Sequence, residues 1–337
     1  MPVRISVDAM GGDFGPSVVV AAVKASLAAN SDVTALLYGD RDILASEIGD
    51  DLDAELKSRL EVRHSPSLVD ADDKPSVVVR SKGDSSMALA IRAIADGEAD
   101  ACISAGNTGA LMALSLFNLG TLSGISRPAI CSEIPTDNGP CLLLDLGANL
   151  DCSAAQLSQF ATLGSLTAQK LLGISMPSVG LLNVGSEASK GNGLIQATAE
   201  LLEADPSINY QGFVEGDGIF QALTDVVVCD GFSGNVALKA GEGVAKLINR
   251  RISEFCLGNW WLRLVSLLMG NRLLQLKSSI QPSLFNGAYL LGLNGVVVKS
   301  HGAADILGFT AGLDTAIKAA RHQLPSILSP ILKKNNY

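Results

Sequence analysis

Short apolar runs alternate along this chain with segments whose apolar positions recur at helical spacing. Residues 3–8, 101–104, 142–145, 179–184, 226–230 and 296–298 read as buried strands. Between them, 17–29 carries Val19, Val20, Val23 and Leu27 on one helical face, and 87–95 and 154–172 repeat the pattern. Strands alternating with helices predict parallel βαβ units and hence a three-layer αβα fold around a mostly parallel sheet. Residues 70–75 form a polar loop, and 135–140 is a turn between two strands. The whole chain, 1–337, is expected to be one α/β catalytic domain.

One stretch breaks the rhythm. Residues 241–279 predict an amphipathic helical hairpin that protrudes from the domain. Val244, Leu247, Ile248, Ile252 and Phe255 share one face, Gly258 interrupts it, and Trp260, Trp261, Leu264 and Leu268 follow. Six basic residues there (Lys246, Arg250, Arg251, Arg263, Arg272 and Lys277) face only Glu242 and Glu254. A cationic, Trp- and Leu-rich hairpin suits an anionic membrane surface or an acidic partner. A dimer interface that buries the tryptophans is the competing reading.

The strand ends are unusual in being rich in glycine and small polar groups. Residues 8–16 read Asp-Ala-Met-Gly-Gly-Asp-Phe-Gly-Pro, and 104–109 read Ser-Ala-Gly-Asn-Thr-Gly. Residues 145–149 read Asp-Leu-Gly-Ala-Asn, and 229–235 read Cys-Asp-Gly-Phe-Ser-Gly-Asn. The run 296–302 ends in Lys299-Ser300-His301-Gly302, setting a cation, a hydroxyl and an imidazole past a strand. Ligands of open α/β sheets bind beyond the carboxyl ends of strands, and turns of this kind build cradles of backbone N–H groups for an anion.

Composition narrows the field. The net charge of −9 and 4% aromatic content argue against nucleic-acid binding. No run reaches the roughly 18 uncharged apolar residues of a membrane span, and the first residues lack the layout of a signal peptide. The six cysteines form no C-x-x-C pair and lie mostly in apolar runs, as small buried thiols of a reducing cytoplasm do. A Walker-type loop, a G-x-G-x-x-G fingerprint, a zinc-ligand cluster and a G-x-S-x-G elbow are all missing. No cofactor or metal is expected.

Taken together, the motifs at 8–16, 104–110, 144–149, 229–239 and 286–302 closely resemble the bacterial phosphate acyltransferase family (PlsX) of phospholipid synthesis. Five motifs in order span nearly the whole chain. The resemblance implies conversion of fatty acyl-[acyl carrier protein] and inorganic phosphate to acyl phosphate and free carrier. It also implies a fold like the isocitrate/isopropylmalate dehydrogenases and phosphotransacetylases, a homodimer, and a cytoplasmic enzyme peripherally attached to the membrane. The chain departs from many relatives at 185–191, where Glu187 lacks the second acid of a pair.

In such a reaction phosphate is itself the nucleophile, so the protein has to orient it and stabilise an oxyanion. Gly106, Asn107, Thr108 and Gly109 are the leading phosphate cradle, with helix capping by Asn107 and Thr108 as the alternative. Gly12 offers the same on the first strand. Asp13 would orient Lys299 or Lys190, or cap a helix. His301 is expected to donate to phosphate or oxyanion or to carry a proton, with Lys299 and Ser300 beside it. His64 and His322 are read as structural. Asp230, Asn235 and Lys239 are further candidates, Asp230 as base, orienting group or cap. Lys190 is flexible enough to reach an anion or to be a solvated loop lysine. Asn149 and Asp145 rank lower, since they would also simply close a turn. Rival readings are an acyltransferase that uses acyl-coenzyme A, a metal-dependent decarboxylating dehydrogenase, and a non-catalytic membrane scaffold.

Overall fold

The structure is a computed structural model that describes residues 2–50, 52–257 and 286–334. Its first half contains β1 (Val3–Asp8), α1 (Gly15–Ala29), β2 (Val33–Gly39), α2 (Arg41–Ile48), α3 (Ala54–Ser58), β3 (Leu60–His64), α4 (Pro75–Ser81), α5 (Ser86–Ala95), β4 (Ala101–Ser104) and α6 (Thr108–Leu119). Next come β5 (Ala129–Thr136), β6 (Gly139–Leu144), α7 (Ala154–Leu171), β7 (Ser178–Leu182), α8 (Gly193–Ala204), β8 (Asn209–Val214), β9 (Val226–Val228) and α9 (Gly231–Leu257). The chain closes with β10 (Ala288–Leu291), β11 (Val296–Lys299), α10 (Ile306–Arg321) and α11 (Leu324–Lys334).

The strands form one sheet in the order β3-β2-β1-β4-β11-β10-β5-β6-β9-β7-β8. From β3 to β11 all pairings are parallel, as they are from β6 to β8. Between these halves stand three antiparallel pairings, β11 with β10, β10 with β5, and β5 with β6. An odd number of reversals means that the two parallel halves point in opposite directions.

Alternation along each strand sends side chains to two separate cores. Val296 and Val298 pack with Val3, Ile5, Val7, Phe160, Phe309 and Leu313 on one face. Val297 packs with Cys102, Ile130, Leu143, Leu290 and Leu111 on the other. Helices cover both faces, so the expected three-layer, mostly parallel architecture is present. Cys102, Cys131, Cys141 and Cys229 are buried free thiols and Cys152 is partly buried. Burial pushes the Cys141 thiol up to about 12.

Helix α9 begins at Gly231, ten residues before the expected hairpin, and runs unbroken past Gly241 and Gly243. Its first turn fits only because it carries glycine. A Cβ on Gly234 would sit 1.9 Å from the carbonyl oxygen of Asp145. The Asp145 carboxylate in turn accepts the buried N–H groups of Ile130 (2.9 Å), Ala148 (3.0 Å) and Asn149 (2.7 Å). Replacing it orphans those donors at about 1–3 kcal/mol each. Asp145→Ala should therefore lower stability by at least about 3 kcal/mol, read as a shift of the urea midpoint.

Candidate active site

Three of the glycine-rich strand ends meet. Ser300 N donates to Ser104 O at 2.9 Å and Asp13 N to Gly302 O at 2.8 Å, tying the turns after β1, β4 and β11 together. A Cβ on Gly11 would come within 2.8 Å of Gly106 N. Gly12 has φ +96°, and a Cβ there would meet Ala105 Cβ at 2.9 Å. Backbone runs against backbone here, which only glycine permits. The remaining two ends meet each other instead: Asp145 N donates to Cys229 O (3.0 Å) and Gly231 N to Asn149 O (2.8 Å). The five ends expected to form one cradle thus form two groups, because the sheet reverses direction between them.

Helix α9 bridges the groups. It leaves the second group at Gly231 and presents Asn235, Leu238, Lys239, Glu242 and Lys246 to a cavity of about 510 Å³. Thr108, Asn286, Lys299, Ser300 and His301 line its other side. Helices α1, α6 and α10 begin at the same cavity, at Phe14, Thr108 and Asp305. Three helix N-termini therefore border it, that of α10 capped by the Asp305 carboxylate, which accepts from Gly308 N at 2.8 Å.

A fully buried carboxylate, Asp8, organises the first group. It accepts the hydroxyls of Ser86 and Ser104, each at 2.6 Å, and the N–H groups of Met10 and Gly11. Ser104 Oγ accepts from Gly106 N at 3.0 Å. Burial pushes the Asp8 carboxyl above the usual range, while these donors oppose the shift. Lys299 Nζ donates to the carbonyls of Ala105 (3.3 Å) and Ser300, leaving one of its three N–H groups for the cavity. Burial lowers the Lys299 ammonium to about 8, against the attraction of Asp8.

His301 Nδ1 accepts the N–H of Ala303 at 3.1 Å. The neutral ring therefore carries its proton on Nε2, which lies 3.3 Å from Lys239 Nζ and 3.9 Å from Glu242 Oε2. Desolvation, aided by Lys239, lowers the pKa of His301. The ring is thus neutral at neutral pH, and its Nε2–H and the Lys239 ammonium are two adjacent donors that an anion seated between them would satisfy. Glu242, its side chain 17% exposed, accepts from Lys239 Nζ at 3.1 and 3.0 Å and lies 4.0 Å from Lys246 Nζ. Asn286 holds the β11 end in place. Its Nδ2 donates to Ser300 Oγ and Gly308 O, both at 2.7 Å, and its Oδ1 accepts from His301 N at 2.9 Å.

Of the sequence candidates, Thr108, Asn235, Lys239, Lys299, Ser300 and His301 come together around the cavity. Gly12, Asp13 and Gly106 shape the turns behind it. Asn107 caps α6 through Ala110 N and spends its amide on Ala71 O and Asp73 O, so the capping alternative describes it. Gly109 packs on Pro75. Asp230 caps α9, accepting from Ser233 N and Oγ. Asn149 is buried against Asp145 and Pro128 O. Lys190 lies in the exposed turn before α8, outside the cavity lining. His64 accepts from Arg41 N, and His322 ends α10. Trp260, Trp261, Leu264 and Leu268 fall outside the described residues.

Sequence reasoning passed over Asp8, Glu242 and Asn286. Each had a signal: Asp8 is an acid inside an apolar strand run, Glu242 lies one turn past Lys239, and Asn286 opens the 286–302 motif.

Two lysines, a histidine ring and three helix starts border one partly apolar cleft, a lining that suits an α/β enzyme acting on an anion beside an apolar group. The chain belongs to the fatty acid synthesis protein family, whose sequence profile matches residues 3–327. It is 48% identical over 324 residues to the phosphate acyltransferase of Pseudomonas syringae pv. syringae, covering 96% of this chain and 95% of that protein. To the phosphate acyltransferase of Nitrosococcus oceani it is 47% identical over 333 residues, 99% and 97% of the two chains. The fold is shared with a phosphotransacetylase from Streptococcus pyogenes (TM-score 0.62, 16% identity, 95% and 94% covered). It is also shared with a 4-hydroxythreonine-4-phosphate dehydrogenase from Klebsiella pneumoniae (TM-score 0.56, 12% identity, 94% and 97% covered).

The Lys299 ammonium gives the cavity a pH-dependent charge in a defined sense. Sulfate, whose charge is constant in this range, should bind more weakly as pH rises through about 8 and Lys299 loses its proton. Calorimetric titration of Lys299→Met should show weak binding at every pH, without that step.

Proposed function

We propose that this protein transfers a fatty acyl group from acyl-[acyl carrier protein] to inorganic phosphate, giving acyl phosphate and free carrier for phospholipid synthesis. The observation that carries the reading is the make-up of the cavity. Lys239, Lys299 and the Nε2–H of His301 come together, while Ile130, Leu146, Leu238 and Ala288 give the same cavity an apolar surface. An anion and an acyl thioester are thereby accommodated side by side.

Lys239 and Lys299 hold hydrogen phosphate, with Thr108 and the start of α6 as further donors. A phosphate oxygen attacks the thioester carbon, forming a C–O bond while the carbonyl electron pair moves onto oxygen. The His301 Nε2–H stabilises that oxyanion. Collapse expels the carrier's pantetheine sulfur, a good leaving group because thiol pKa values lie near ~8.5. The proton carried by hydrogen phosphate ends on the thiol, so none is gained or lost. Glu242 orients Lys239, and Asn286 sets the position of Ser300 and His301.

The test is phosphate-dependent release of carrier thiol from palmitoyl-[acyl carrier protein], with acyl phosphate formed in step. Palmitoyl-coenzyme A offered in parallel separates the two donors. His301→Ala should lower kcat by about 10²–10³-fold, the usual cost of an oxyanion donor. Release without phosphate would mark a thioesterase and sink the reading.

The same proposal attaches the enzyme to an anionic membrane surface through segment 241–279, and takes a homodimer from the family resemblance. In support, Val244, Leu247, Ile248 and Phe255 of α9 are exposed, as are Lys246, Arg250 and Arg251. These cations also suit an acidic carrier protein. No helix among the described residues is long and apolar enough to cross a membrane. Changing Trp260, Trp261 and Leu264 together to Asp should cut binding to anionic vesicles at least about tenfold while phosphate-dependent turnover continues. Unchanged vesicle binding in a flotation assay would refute the membrane assignment.

A further inference from the structure

We propose that the part of the cavity floored by Ala288 and Ser132 seats the acyl chain, and that these two small side chains set the length accepted. The inference rests on the acyl-transfer reading above and adds a location to it.

Strand register supplies the first argument. Ala288 pairs with Lys299 across β10 and β11. Tyr289 pairs with Cys131, so Ala288 stands opposite Ser132 on β5, one step further along. Lys299, Ala288 and Ser132 therefore stand side by side on three adjacent strands, on one face, at steps of about 4.8 Å. The next pair on that face, Leu290 with Ile130, is apolar and buried. A row that starts at the anion-binding lysine thus leads across small residues to an apolar wall.

The second argument is what these positions lack. Sheet neighbours on the same face carry Val297, Leu290, Ile130 and Leu143, which fill the space up to the helices. At Ala288 and Ser132 the side chains stop short, and both line the cavity. Leu238 of α9 and Leu146 line the same space from outside the sheet. The result is a trough with a shallow floor, roofed by Leu238 and Leu146 with Asn235 one turn before Leu238, leading away from Lys299. Among the described side chains, the hydroxyl of Ser132 is the only polar group of that floor. A flexible hydrocarbon chain fits this chemistry, whereas a sugar or nucleotide would leave its polar groups unpaired.

The volume is of the right order. About 510 Å³ for the whole cavity falls within the ~300–1,000 Å³ of small-molecule sites. Every methylene admitted to the trough strengthens binding roughly fourfold. A side chain enlarged at the floor therefore acts most on long chains.

The experiment compares kcat/KM for palmitoyl and octanoyl thioesters of the carrier protein, or of coenzyme A, in wild type, Ala288→Leu, Ser132→Leu and Leu238→Ala. The readout is the palmitoyl-to-octanoyl ratio within each variant, so a general loss of activity cancels. The two floor variants should lower the ratio at least about tenfold, since Leu fills the space of several methylenes by adding bulk at Ala288 and, in exchange for a hydroxyl, at Ser132. Leu238→Ala opens the roof and should leave the ratio at or above the wild-type value. Because it removes bulk rather than adding it, it also guards against misfolding of a crowded floor. Ratios within twofold of wild type in both folded floor variants would overturn the assignment, as would a Leu238→Ala ratio that falls with theirs. A wild-type enzyme that turns over neither thioester would instead defeat the acyl-transfer reading, and the chain seat with it.

Discussion

The arrangement of the site depends on a reversal inside the sheet. Three successive antiparallel pairings, through β10, β5 and β6, turn one parallel half against the other. Had the sheet been parallel throughout, all the glycine-rich turns would open on one edge. Instead the turns after β1, β4 and β11 gather at one place, and those after β6 and β9 gather at another. A helix leaving the second group is then free to run across the face of β5 and β10 toward the first. Helix α9 does this, carrying Lys239 and Glu242 to the side chain of His301. The cavity is the space between that helix and the reversing strands.

Buried polar groups hold the two sides in register. Asp8 collects two hydroxyls and two amides, and through Ser104 a third amide at Gly106. Asp145 collects three amides and the side chain of Asn149. Buried carboxylates are costly unless their oxygens are satisfied, and satisfied ones fix geometry because every alternative leaves donors orphaned. Asn286 acts on the same principle at the β11 end, where one amide side chain binds a hydroxyl, a carbonyl and a backbone N–H. His301 is consequently held with Nδ1 occupied and Nε2 beside the Lys239 ammonium. That geometry suits stabilising a developing negative oxygen better than abstracting a proton.

The alternation of apolar runs and helical patterns made the three-layer architecture legible, and strands such as 3–8 and 101–104 coincide with β1 and β4. The turn at 135–140 was legible too, as the link between β5 and β6. Its consequence was not, because strand direction is set by pairing with β10, a partner more than a hundred residues away in sequence. The Lys299-Ser300-His301 stretch announced itself by chemistry. Asn107 and Asp230 looked equally chemical, yet side chains of this kind also cap helices, and only three-dimensional placement separates the roles. Glu242 and Asn286 were hidden for the converse reason. Their importance lies in contacts that cross elements, Glu242 to His301 Nε2 at 3.9 Å and Asn286 to His301 N at 2.9 Å.

The account makes phosphate the only nucleophile. Among the described residues the cavity lining contains no cysteine, Ser300 Oγ accepts from Asn286 Nδ2, and Nδ1 of the neighbouring imidazole is occupied by the N–H of Ala303. The most direct test mixes enzyme with acyl-[acyl carrier protein] in the absence of phosphate, then follows thiol release and the intact mass of the protein. The account predicts no burst of thiol and no added acyl mass, with both appearing as turnover only when phosphate is supplied. A burst equal to the enzyme concentration, with the protein gaining the mass of one acyl group, would contradict it and require a protein nucleophile.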